Sequence, residues 1–145
     1  MLLSLVTSPA ERETLFGALE CMPAISAKGD WALRWTTDVT ASFAKRLVAF
    51  AAVEGIMFSS SFAAIFWLRS RGMLPGVCHS NELIARDEGL HTRFACTLHQ
   101  HLQEQISEYD AREIIMEAVA LEKSFFKGTS APANVHHTQN LNRDV

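Results

Sequence analysis

Residues 47–68 read LVAFAAVEGIMFSSSFAAIFWL. The run is long enough for a helix to cross a bilayer core, which takes about 20 apolar residues. Lys45, Arg46, Arg69 and Arg71 flank it. Against a membrane span stands Glu54, since a comparable acid near the bilayer centre costs about 2.5–3.5 kcal/mol on insertion scales. Ser59, Ser60 and Ser61 in a row weaken the case further. The neighbouring segments are amphipathic and none is a second spanning partner. A helix apolar all round is then expected at the centre of a helical bundle, and no membrane contact is expected.

The flanking sequence is organised as further helices. Ser8-Pro9-Ala10-Glu11 is a helix start, with Ser8 as cap and Pro9 at the first position. That helix is expected to stop near Cys21, before Pro23. Lys28-Gly29 predicts a break, after which Asp30 caps a short helix carrying Trp31 and Trp35. The long apolar helix is expected from Asp38–Thr40 to Arg69–Gly72. A third major helix is expected from Ser80 or Asn81 to about Gln105, and a fourth from Asp110 to Lys127-Gly128. Nothing reads as strand-turn-strand, so the fold class is all-α. Residues 128–145 are polar and lack a helical apolar period; they are expected to be a disordered tail, with His136 and His137 merely solvated. The domain is therefore placed at 1–127.

Composition narrows the function. The chain has 145 residues and is 48% hydrophobic, enough to bury a core. Thirteen Lys and Arg against sixteen Asp and Glu give a net charge of -3, a poor match to nucleic-acid binding. Three cysteines without a C-x-x-C spacing argue against a disulfide scaffold or zinc ribbon. They fit a reducing compartment, and a cytoplasmic location is expected.

Glu54 is the anomaly in the apolar run. A carboxylate in such surroundings must be paired, protonated, metal-bound or at the surface. The third helix carries a second anomaly, Glu88-Gly89-Leu90-His91. A spacing of three puts Glu88 and His91 on one face, in a stripe with Ile84, Asp87, Ala95 and Leu98. An E-x-x-H pair on one helix plus a lone inward Glu on another is half the ligand set of a carboxylate-bridged di-iron or di-manganese site. E-x-x-H alone is a weak signal, and no other histidine has an acid three residues before it.

Several stretches carry a resemblance. Asp30-Trp31-Ala32-Leu33-Arg34-Trp35 and Val48-Ala49-Phe50-Ala51-Ala52-Val53-Glu54-Gly55-Ile56 resemble the small, radical-generating subunit of class I ribonucleotide reductase, of eukaryotic type. So do Phe62–Leu68, Arg71–Gly76 and Ser80–His91, in family order, within a similarity running from about Ser8 to Phe126. The resemblance implies a partial ferritin-like bundle and a di-iron centre, with manganese as the other metal. It implies a part in reducing ribonucleoside diphosphates to deoxyribonucleotides for DNA replication. Carried over by motif, Glu54, Glu88 and His91 are metal ligands, and Asp87 is a radical-transfer residue. Phe58, Phe62 and Ile84 line the apolar pocket that shields the radical; for the two phenylalanines plain core packing is the competing account.

The departures are as informative. The family's upstream acid, its other E-x-x-H pair, its radical tyrosine and its transfer-path tryptophan have no counterpart here. The one tyrosine, Tyr109, is predicted in a loop. A fragment lacking N- and C-terminal parts is expected, with little capacity to build the radical by itself and a tendency to aggregate or associate. Expected partners are the large subunit and a second small subunit, as a homodimer or with a full-length chain. Two alternatives follow: a non-catalytic helical module that binds full-length small subunits, and a two-fold dimer in which two copies pool their ligands.

Overall fold

The computed structural model describes residues 8–130, and among them every regular element is a helix. In chain order these are α1 (Pro9–Cys21), α2 (Pro23–Thr37), α3 (Phe43–Ile56), α4 (Ser59–Ser70), α5 (Pro75–Gln100) and α6 (Glu108–Ser130). The bundle is built around α3, which packs against α5, α6 and α2. Its buried face presents Ala44, Leu47, Ala49 and Ala52, small enough in the main for close helix contact. Trp31, Ala49, Ala52, Met57, Ile114 and Ala118 form the core cluster, so α2, α3 and α6 share it.

The all-α expectation holds, and the expected cap at Ser8 is present: its Oγ accepts from the Glu11 amide at 3.5 Å. Four helix starts differ, and α5 ends at Gln100, short of the expected Gln105. First, α2 runs unbroken through Lys28-Gly29. A helical Gly costs about 1 kcal/mol relative to Ala, but Pro23 starts the helix, and Lys28 and Trp31 anchor it to its neighbours. Second, Asp38 does not start the long helix. Its carboxylate is spent on a turn, accepting from the Thr40 amide at 2.8 Å and the Ala41 amide at 3.2 Å. Ser42 is the cap instead, accepting from the Lys45 amide at 3.3 Å. Third, α5 begins at Pro75, the first-turn position proline favours, after Leu74 in a left-handed conformation (φ 48°). Fourth, α6 begins at Glu108 behind a Ser107 side chain that accepts from the Asp110 amide at 3.0 Å. This places Tyr109 in the first helical turn, exposed, rather than in a loop.

The greatest departure lies in the apolar run itself. It is two helices, α3 and α4, interrupted at Met57-Phe58. By length and composition Phe43–Ser70 would suffice to cross a membrane, with a mean hydropathy of 1.7 over an 18-residue window within it. Its midpoint, however, is engaged by a charged pair from α2 and α6, Lys28 and Glu122. The helix α6 also continues through residues 128–130, where a tail was expected. The remainder of the expected tail, 131–145, lies outside the described residues.

Candidate metal centre

Three expected ligands converge. Glu54 projects from α3, and Glu88 and His91 from successive turns of α5. His91 Nδ1 lies 3.0 Å from Glu54 Oε2 and 3.2 Å from Glu88 Oε2. One ligand atom from each residue falls within 4.8 Å of the other two. The helices can approach this closely because Gly55 meets Thr92, each the residue next to a ligand.

The electrostatics mark the cluster as crowded with negative charge. Burial raises the Glu54 carboxyl above its ordinary value, and its hydrogen bond with Glu88 adds to that, against the pull of His91. Glu88 moves the other way: its hydrogen bond with Glu54 and the nearby imidazole lower it, against a smaller burial effect. His91 is raised by both carboxylates, Glu54 first. The Nδ1 proton of a charged His91 therefore sits between two acid oxygens, which is the position a cation would take. Two carboxylates and an imidazole are a hard, mixed O/N donor set, suited to iron or manganese.

The other expected site residues are placed less tightly. Phe58 and Phe62 flank the start of α4 with ring centroids 6.3 Å apart; Phe58 is exposed, and so is Ile84 on α5. Asp87 is exposed too, its carboxylate 3.9 Å from Arg86 Nε. Two polar clusters escaped the sequence reasoning. Trp31 Nε1 donates to Glu117 at 2.7 Å, and Arg34 donates to the same oxygen at 2.6 Å. Lys28 and Glu122 form the second cluster, at the α3–α4 break. A signal for Glu122 existed: it follows Ile114, Ala118 and Leu121 on the core face of α6, an acid on an apolar stripe like Glu54.

The ribonucleotide reductase small chain family matches residues 1–143. The chain belongs to this family. The match extends past Phe126, where the motif resemblance ends. The ribonucleotide reductase relatives include the human ribonucleoside-diphosphate reductase subunit M2, 57% identical over 120 residues that cover 83% of this chain and 31% of the relative. The small chain of Neurospora crassa is 56% identical over 120 residues, 83% of this chain and 29% of its own length. The chain thus spans about a third of the length of the curated relatives it matches. Among solved structures, the Saccharomyces cerevisiae ribonucleotide reductase Rnr4 homodimer aligns with a TM-score of 0.73 and 36% identity, covering 78% of this chain and 36% of that one.

Proposed function

We propose that this chain contributes half of a carboxylate-bridged dinuclear metal site to a ribonucleoside-diphosphate reductase small subunit. The carrying observation is the convergence of Glu54, Glu88 and His91 from two helices, with ligand atoms within 4.8 Å. These three residues would hold the metal, iron in the first instance and manganese as the alternative. The bound metal supplies the oxygen-dependent oxidising power from which a small subunit makes its radical. The protein's own part is to hold two carboxylates and an imidazole against each other at the α3–α5 contact. Sequestering the site requires more chain than these helices, because the His91 side chain is 54% exposed and Glu54 and Glu88 are 16% and 22% exposed. The rest of the ligand set comes from another small-subunit segment or a second copy. The partner that consumes the radical equivalent is the large subunit, and the setting is cytoplasmic.

The test is a titration with Fe(II) under argon, read by calorimetry. Saturable binding that is lost in Glu88→Ala supports the proposal. Together with large subunit alone, the chain is expected to give no ribonucleotide reduction and no tyrosyl radical signal by electron paramagnetic resonance.

One observation favours a second role, association with an intact small subunit. A groove of about 450 Å³ opens between α3, α5 and α6, lined by Leu47, Ala51, Ile56, Ala95 and Ile115 among others. Such a surface lowers its free energy by binding apolar partners. Adding the chain to an intact reductase is expected to reduce activity in proportion to the chain added; unchanged activity and unchanged mass by light scattering would dismiss this role.

A further inference from the structure

The metal reading leaves one buried charge pair unused. Lys28 Nζ of α2 and Glu122 Oε2 of α6 lie 2.5 Å apart, with side chains only 15% and 9% exposed. They meet where α3 stops and α4 starts. Lys28 Nζ donates to the Met57 carbonyl at 2.7 Å and stands 3.7 Å from the centroid of the Phe125 ring. Glu122 Oε1 accepts from the Ser60 amide at 2.7 Å, from the Ser60 hydroxyl, and from the Ser59 hydroxyl at 3.3 Å.

Each member of the pair thus engages a backbone group at one side of the break. A helix end leaves carbonyls without partners, and a helix start leaves amides without partners. The cation sits at the carbonyl end and the anion at the amide end, as the two helix dipoles favour. The residue at the cap position of α4 is Phe58, whose side chain makes no capping hydrogen bond. Glu122 supplies from another helix the oxygen that Phe58 lacks.

We infer that Lys28 and Glu122 are positioning residues, a two-ended latch that sets the α3–α4 break. The latch defines where Phe58 and Phe62 stand relative to Glu54, which lies on the last turn of α3. Its consequence for metal affinity rests on the metal reading above; the latch itself does not. The competing account is a simple buried ion pair, in which only opposite charge matters.

Backbone hydrogen exchange on the full chain separates the two, because the Ser60 amide is held by Glu122. In Glu122→Ala, exchange at Ser60 and its neighbours in the first turn of α4 should accelerate at least tenfold relative to the α5 interior around Ala95. Glu122→Gln, which keeps an acceptor, should fall between Glu122→Ala and wild type. The swapped double variant K28E/E122K should stay fast. A carboxylate at 28 cannot donate to the Met57 carbonyl, and an ammonium at 122 cannot accept from the Ser60 amide. Wild-type protection in the swapped variant, or exchange that is unchanged or raised equally in every helix, would overturn the latch. Should Glu122→Ala fail to fold, Glu122→Gln and the swapped variant decide the question by the same local readout: faster exchange at Ser60 in both supports the latch, and wild-type protection in either overturns it. Mn(II) affinity in the same variants should fall about tenfold. If the wild type fails to bind Mn(II), the metal reading fails and the exchange pattern still decides the latch.

Discussion

Gly55 of α3 faces Thr92 of α5 so closely that a Cβ on Gly55 would stand 3.1 Å from both Cγ2 and Oγ1 of the threonine. Each of these residues follows a ligand, Glu54 and His91, so the contact sets the separation of the two halves of the site. Gly55→Ala is expected to destabilise the chain by about 1–3 kcal/mol, the usual cost of overpacking a filled contact. Removing the obstructing atoms with Thr92→Ala should recover part of that loss. A double-mutant cycle by thermal unfolding should therefore show coupling of about 0.5–3 kcal/mol; strictly additive losses would contradict the close contact.

The cluster makes a definite statement about pH. The carboxylates hold the His91 imidazole above its ordinary value of 6.5, and a metal must displace that proton. Affinity for Mn(II) is then expected to rise as pH rises, by about tenfold per unit while His91 is charged, and to level off once it is neutral. Titrations between pH 6 and 8.5 in a non-coordinating buffer measure this slope. In His91→Ala the slope should vanish, with an affinity loss exceeding the roughly 10–100-fold cost of deleting an outer-shell partner.

Stability in acid depends on Glu122. Burial raises its carboxyl, but the Lys28 ammonium and the Ser60 hydroxyl and amide outweigh that and bring it below its ordinary value of 4.5. A lowered folded value means stabilisation that is present above 4.5 and lost as pH falls through the folded value. The melting temperature of the wild type should drop below about pH 4.5, and Glu122→Gln should be less stable at neutral pH with a shallower acid dependence.

Trp31 is buried, and its Nε1 depends on Glu117 for a partner at 2.7 Å. Glu117→Ala orphans that donor and is expected to cost about 1–3 kcal/mol. Arg34→Ala removes only a half-exposed ion pair and should cost no more than about 1 kcal/mol. Equal losses for the two variants in chemical denaturation would contradict this assignment.

How much of this was legible in the sequence follows from the range of each interaction. Ser8 and the E-x-x-H spacing act within one or two turns, and both were readable from local order. Glu54 was readable because it is an acid among apolar residues. The α3–α4 break was not, since the groups that hold it come from residues 28 and 122, far away in the chain. Read from local order alone, 47–68 is a continuous apolar helix. Lys28-Gly29 misled for the related reason that local propensity predicts a stop there, whereas Lys28 is anchored by tertiary contacts. The placement of Asp87, Phe58 and Ile84 came from family resemblance, and in this chain all three are exposed.

The central claim is that Glu54, Glu88 and His91 act together as a metal-binding half-site. Its most direct measurement is Mn(II) titration at pH 7.5, followed by electron paramagnetic resonance of the free ion, on the wild type and on Glu54→Ala, Glu88→Ala and His91→Ala. Saturable binding in the wild type that each single substitution weakens by more than about 100-fold is the predicted result. No binding by the wild type, or binding that survives all three substitutions, would contradict it.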